Sequence, residues 1–169
     1  RTVRMLPTEG SNGWRMTPER LARLCEEDEG RPRILVLNYP SNPTGLSFDE
    51  DQLKDIAAIA RKHQVVVVSD EIYGEVHHHG AHVSLARFYP EGTIVSAGLS
   101  KWCGAGGWRL GTFFFPPEMR WLMNAMATAA SETYTSVCAP IQYAAVRAYQ
   151  GGPDIDAYLQ ASRDILRSL

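Results

Sequence analysis

The amino-acid sequence predicts an α/β fold, a mainly parallel sheet flanked by helices, on three observations. Short, wholly apolar runs, Ile34 to Leu37 and Val65 to Val68 foremost, have the length and branching of strands buried on both faces of a parallel sheet. Other segments repeat apolar residues at i, i+3, i+4 and i+7, the period of a helix that lays one face on a sheet. The two kinds of segment alternate along the chain, as strand–crossover–strand units do. At 169 residues there is material for one domain, or a large piece of one.

Taken in order, Thr17-Pro18-Glu19 predicts a helix start, a hydroxyl cap followed by proline at the first helical position. Leu21, Leu24 and Cys25 then share a face, and Gly30 is the expected stop. Ile34 to Leu37 forms the first strand and runs into Asn38-Tyr39-Pro40. Ser47 and Glu50 read as a capping box, behind which Leu53, Ile56, Ala57 and Ala60 line the buried face of a second helix. Val65 to Val68 is the clearest strand and leads into Ser69-Asp70. Thr93-Ile94-Val95 and Gly111 to Phe115 are the third and fourth, the latter stopped by Pro116-Pro117. Met119, Leu122, Met123 and Met126 predict an amphipathic helix whose methionines are most simply core. Helices follow over about 137–149 and from Pro153 to the end, where Ile155, Tyr158, Leu159 and Leu166 share a face. No repeat and no low-complexity stretch interrupts this order.

Composition removes several function classes. Seventeen basic against nineteen acidic residues give a net charge of −2, with no electrostatic footprint for nucleic acid or an anionic membrane. No apolar run approaches the roughly 20 residues of a transmembrane helix. Cys25, Cys103 and Cys138 are odd in number and far apart, so neither a disulfide framework nor a Cys-rich metal site is expected. A reducing, cytoplasmic setting follows. The chain opens on Arg1 rather than methionine, which fits a segment of a longer polypeptide.

In open α/β sheets ligands gather at the carboxyl ends of the strands. Four polar clusters stand there: Asn38 to Gly45, Asp70-Glu71-Ile72-Tyr73, Ser100-Lys101, and Gly107-Trp108-Arg109-Leu110-Gly111. Singly, each has a bland explanation. Asn-Pro-Thr-Gly makes a serviceable turn, an aspartate after a strand caps a helix, and a lone lysine is solvated surface. Together they stand in order, 28 residues from Asn42 to Asp70, 31 more to Lys101 and 8 more to Arg109, which coincidence does not readily supply.

The set resembles the class I/II aminotransferases, pyridoxal 5′-phosphate enzymes of the aspartate aminotransferase type. The run Gly98-Leu99-Ser100-Lys101-Trp102-Cys103-Gly104-Ala105-Gly106-Gly107-Trp108-Arg109-Leu110-Gly111 fits that family's cofactor-lysine stretch at every constrained place. Asn42-Pro43-Thr44-Gly45, and Asp70 with Tyr73 three residues on, match its other internal landmarks. The resemblance implies the large domain of fold-type I transferases, incomplete here, with residues 1–152 a partial cofactor-binding domain and 153–169 the start of a helix leading to a C-terminal small domain.

It also implies roles. Lys101 forms a Schiff base with the cofactor and then moves protons as general acid/base. Asp70 keeps the pyridine nitrogen protonated, so the ring works as an electron sink. Asn42 and Tyr73 hydrogen-bond the ring's 3′-oxygen, Arg109 binds the phosphate, and Ser100 is a secondary phosphate candidate. The catalytic set is thus Lys101, Asp70 and Tyr73. Cofactor contacts come from Asn42, Asp70, Tyr73, Ser100, Lys101 and Arg109, and no metal is expected. One departure stands out: the family often places a serine where this chain has Gly98.

The implied reaction transfers an amino group between an amino acid and a 2-oxo acid, in a full-length protein that is a homodimer. The family's Gly-rich phosphate loop and ring-stacking aromatic would precede Arg1, and its carboxylate-clamping arginine would follow Leu169. The alternatives are another fold-type I enzyme, a lyase or decarboxylase, or a catalytically incompetent fragment keeping only cofactor or dimer contacts. His77-His78-His79 reads as a surface loop because no further ligands complete a metal set. Gly104-Ala105-Gly106 is no dinucleotide loop, since the third glycine of that fingerprint would fall on Arg109. Glu132 to Ser136 is polar, with no role assigned.

Overall fold

The computed structural model describes residues 3–27, 33–78 and 80–169. Its helices are α1 (Pro18–Glu27), α2 (Glu50–Lys62), α3 (Arg120–Ser131), α4 (Ala139–Gln150) and α5 (Pro153–Ser168). Its strands are β1 (Ile34–Asn38), β2 (Val66–Asp70), β3 (Thr93–Gly98) and β4 (Gly111–Phe114). The four strands form one sheet in the order β1-β2-β3-β4. β1, β2 and β3 are parallel, in the register Ile34 to Val66 and Val67 to Thr93, and β4 runs antiparallel to β3 with Gly98 opposite Gly111. The parallel register sets Asn38 beside Asp70 and Asp70 beside Ser96, so the polar residues at three strand ends form one row.

The core lies on one face of this sheet. Leu35 and Leu37 of β1 and Val67 of β2 pack with Leu53, Ile56, Ala57 and Ala60 of α2 and with Leu21 and Cys25 of α1. Leu53 and Ile56 are wholly enclosed, and each such side chain contributes roughly 1.5–3 kcal/mol by leaving water. The helical spacing in α2 therefore marks its buried face correctly. Its start is different from expectation: Asp49, not Ser47, is the cap. The Asp49 carboxylate accepts from Gln52 N–H and the Gln52 side chain accepts from Asp49 N–H. Ser47 instead offers its carbonyl to Arg15. An aspartate one turn ahead of an amide satisfies the same orphan donors as a serine–glutamate box.

A second cluster holds the C-terminal helices. Leu99, Trp102, Ala105 and Leu110, from the segment joining β3 and β4, pack with Ala145 of α4 and Leu159 of α5. The segment that carries Lys101 and Arg109 is thereby anchored from below. Arg163 of α5 adds a hydrogen bond to the Glu75 carbonyl, and Tyr149 of α4 meets Thr112 of β4.

Three burial expectations fail in whole or in part. Ile34 and Val36 are 68% and 69% exposed, so β1 is covered on one face rather than two. The methionine helix α3 has no buried residue within it; Met123 and Met126 are exposed and only Met119, just ahead of it, is enclosed. In α5, Leu159 is buried but Tyr158 and Leu166 are exposed. The reason is common to all: apolar patterning shows which side chains suit burial, and no described element lies over these faces. The predicted stop at Gly30 and the third residue of the histidine run, His79, fall outside the described residues.

Candidate active site

The carboxyl ends of β1, β2 and β3 gather the polar side chains singled out in the sequence. Asp70 closes β2 with its side chain half-buried. One carboxylate oxygen, Oδ2, accepts from Asn38 Nδ2 at 3.1 Å, and Oδ1 has no hydrogen-bond partner among the described residues. The Asn38 amide works in both directions, because its Oδ1 accepts from the Asn42 backbone N–H at 3.0 Å. Asn42 in turn donates from Nδ2 to the Tyr73 hydroxyl at 3.3 Å. The Lys101 ammonium lies 5.3 Å from the centre of the Tyr73 ring, within cation–π range. One contact chain thus joins Asp70, Asn38, Asn42, Tyr73 and Lys101.

Backbone geometry presents the remaining members. Ser100 is half-buried in the turn after β3, directly before the exposed Lys101. Arg109 is exposed in the turn before β4 and holds a left-handed backbone, φ +55°, unusual for a residue with a side chain. Its Nη1 donates to the Gly106 carbonyl at 2.7 Å, and the bond from Leu99 N–H to the Leu110 carbonyl draws the Arg109 turn alongside the Ser100-Lys101 turn. Neither Ser100 nor Arg109 touches the Asp70–Lys101 chain of contacts.

Gly98 has a structural explanation. A Cβ there would stand 2.8 Å from the Leu110 carbonyl oxygen and 3.2 Å from Gly111 Cα, both backbone atoms of the neighbouring strand segment. A serine at this place has no room. Gly104, with φ +62°, meets a different need, the left-handed turn that follows Lys101.

Sequence reasoning did not find the support beneath these loops. Tyr39 and Ser69, both fully enclosed, and the buried Glu71 form a polar knot with His82 and Ser84. Burial alone would push the Glu71 carboxyl up. The hydrogen bonds from His82, Ser84 and Ser69 outweigh it and hold the group below its ordinary value. The Tyr39 phenol is raised, chiefly by burial and next by the Glu71 charge beside it. Asn38 and Glu71 were visible only as members of polar clusters, and His82 carried no local signal. The Asn38 role could have been found from pairing, since a parallel β1–β2 register puts the two strand-end residues side by side.

A separate concavity of about 360 Å³ is lined by Glu71, His82, Trp102, Phe114 and Leu159 among others. None of Asn42, Asp70, Tyr73, Lys101 and Arg109 lines it. The candidate site is instead an open shelf at the strand ends. No group of residues able to hold a metal ion occurs among the described residues. The donor set suits pyridoxal 5′-phosphate: an amine for its aldehyde, a carboxylate with a spare oxygen for its ring nitrogen, amide and phenol donors for its ring oxygen, and a guanidinium for its phosphate.

Known proteins resemble this chain in sequence and in fold. The family model for aminotransferase class I and II matches residues 1–169. The aspartate aminotransferase of Geobacillus stearothermophilus is 35% identical over 144 residues, 83% of this chain and 35% of that protein. The aspartate/prephenate aminotransferase of Thermus thermophilus is 33% identical over 165 residues, 98% of this chain and 40% of that protein. Among solved structures, a tetra mutant of Thermus thermophilus aspartate aminotransferase superposes with a TM-score of 0.87 at 31% identity, covering 96% of this chain and 43% of that one. The aromatic aminotransferase of Pyrococcus horikoshii gives 0.80 at 28% identity, with 94% and 42% covered. The chain therefore spans well under half the length of these relatives. Its mixed four-stranded sheet with flanking helices is part of the fold-type I architecture, and the chain belongs to the class I and II aminotransferase family.

Proposed function

We propose that this chain is the cofactor-binding part of a pyridoxal 5′-phosphate-dependent aminotransferase that moves an amino group between an amino acid and a 2-oxo acid. The observation that carries the reading is the linked set at the strand ends, with the Lys101 ammonium over the Tyr73 ring and Asn42 and Asn38 bridging from Tyr73 to Asp70. When bound, the cofactor supplies a cationic conjugated ring that draws electrons from the bonds at a substrate's Cα.

Every other task falls to the protein. The Lys101 amine would hold the cofactor at its aldehyde carbon, with loss of water, and once released by a substrate amine it would carry the proton between the substrate's Cα and C4′. Asp70, one oxygen fixed by Asn38, would offer the other to the ring nitrogen and hold a proton there. Asn42 and Tyr73 would donate to the ring's 3′-oxygen, and the Arg109 guanidinium would pair with the phosphate. Ser100 is the nearby hydroxyl for that phosphate, because Gly98 has no room for one.

The names of the relatives support amino transfer over lyase or decarboxylase chemistry on the same fold. The intact protein is read as a cytoplasmic homodimer, with residues 1–152 in its large domain and α5 leading toward a small one. No helix among the described residues is long and apolar enough to cross a membrane.

The test is chemical. Incubate the protein with pyridoxal phosphate, reduce with borohydride, and map the adduct by peptide mass spectrometry. Lys101 carries the label and Lys101→Ala abolishes it. Label scattered over other lysines, or an intact protein in which no amino acid converts bound cofactor to its pyridoxamine form, refutes the reading.

A further inference from the structure

We propose that Glu71 and Tyr39 are positioning residues for the cofactor site, their buried contact fixing the spacing between Asn42 on one loop and Asp70 and Tyr73 on the next. This inference rests on the cofactor reading above and deepens it.

The two ligand-bearing loops leave adjacent strands. Tyr39 is the first residue after β1, three before Asn42; Glu71 is the first after β2, two before Tyr73. The loops are joined twice. On the shelf side Asn38 holds Asp70, and on the buried side the Tyr39 hydroxyl donates to Glu71 Oε1 at 3.2 Å. The second join is reinforced from all around. Ser69 and Ser84 donate to the same Glu71 oxygen at 2.8 and 2.7 Å, and His82 Nε2 meets Oε2 at 2.8 Å. The Tyr39 oxygen accepts the Leu85 N–H at 2.6 Å.

The chemistry explains the residue type. Three donors on one oxygen, with the His82 ring on its partner, suit an acceptor-only group with several lone pairs, an ionised carboxylate; an amide would meet the His82 ring only in its other tautomer. The pairing also fixes His82 with its proton on Nε2, toward Glu71. The site admits little slack. Tyr39 is fully enclosed, with Phe48 edge-on at 5.5 Å and the His82 ring at 5.3 Å. A Cβ on Gly74, the residue after Tyr73, would come within 2.8 Å of the His82 ring. The loop that carries Tyr73 is therefore seated directly on the histidine that locks Glu71. None of these groups reaches the shelf, so their action on a bound cofactor passes through Asn42, Asp70 and Tyr73.

The experiment uses the intact protein and the variants Tyr39→Phe and Glu71→Gln. Tyr39→Phe keeps the ring against Phe48 and His82 and removes only the hydroxyl, so it carries the test if Glu71→Gln does not fold. Three quantities are read: borohydride labelling of Lys101, the dissociation constant for pyridoxal phosphate, and the pH at which bound cofactor changes its absorbance. Loosened supporting hydrogen bonds weaken cofactor binding about tenfold. They also move the spectral midpoint upward, because Asn42 and Tyr73 withdraw less charge from the ring oxygen, while Lys101 remains labelled. A drop in melting temperature with affinity and midpoint both unchanged overturns the inference and leaves the cofactor reading standing. Absence of the Lys101 label in the unsubstituted protein overturns both.

Discussion

Gly98→Ser restores the hydroxyl that the family often carries, and the structure predicts that it harms this protein. The added Cβ stands 2.8 Å from the Leu110 carbonyl oxygen, 3.2 Å from Gly111 Cα and 3.4 Å from Ile72 Cδ1. Ordinary van der Waals contact begins near the last of these, so the first approach must open by several tenths of an ångström. The two atoms in the way belong to backbone, and they cannot rotate aside. Yielding means spreading β3 from β4 where Gly98 pairs with Gly111 and where Leu99 N–H already reaches Leu110 at 3.4 Å. Overpacking of this kind costs roughly 1–3 kcal/mol, or about 5- to 150-fold in the folding equilibrium. Denaturant melts of the intact protein, with and without pyridoxal phosphate, measure it. Gly98→Ala adds the same Cβ without a hydroxyl and should destabilise to a similar extent. If Gly98→Ser is as stable as the parent and binds cofactor more tightly, the steric argument is wrong and the hydroxyl has found room.

Asn38→Ala removes the amide between Asp70 and the Asn42 backbone; a hydrogen bond to a charged group is worth about 1.5–3 kcal/mol, so cofactor affinity should fall at least tenfold with the protein still folded. Unchanged affinity would show that Asp70 needs no such holder. Glu71 gives a pH signature. Its carboxyl is held below its ordinary value of 4.5, so its stabilisation is complete above that pH and is lost as pH falls through the lower folded value. One proton limits the slope to about 1.4 kcal/mol per pH unit. Glu71→Gln should flatten this acid limb in stability-against-pH curves, and parallel curves for the two proteins would remove Glu71 as its source.

How far the sequence could be read depended on whether a feature is local. The strands and the α2 stripe of Leu53, Ile56, Ala57 and Ala60 follow from neighbours along the chain and lie within a residue or two of where the pattern puts them, and the polar clusters that follow the strands stand at the strand ends. The cap of α2 was misjudged by two residues because two overlapping tetrads, Ser47 with Glu50 and Asp49 with Gln52, carry the same chemistry. Glu71 and His82 were out of reach for another reason. Their partnership joins residues 11 positions apart through a buried contact that no spacing rule describes, and their neighbours Tyr39 and Ser84 come from separate segments.

Exposed apolar faces show the same limit from the other side. Ile34, Val36 and the α3 methionines have the character of buried residues, and pattern alone cannot say which element covers them. Relatives of this chain run to more than twice its length, so elements exist in the family that these 169 residues do not supply. The site behaves differently from the core in this respect. Its core contacts are satisfied within the chain: Asn38 holds Asp70, Asn42 meets Tyr73, and the Glu71 knot locks the loops from below. An uncovered face costs hydrophobic stability, whereas a strand-end cluster fixed by hydrogen bonds between the loops keeps its geometry as long as the strands stay paired. Cofactor labelling at Lys101 should accordingly survive substitutions on the exposed β1 face, such as Val36→Thr, and be lost with those that part β1 from β2.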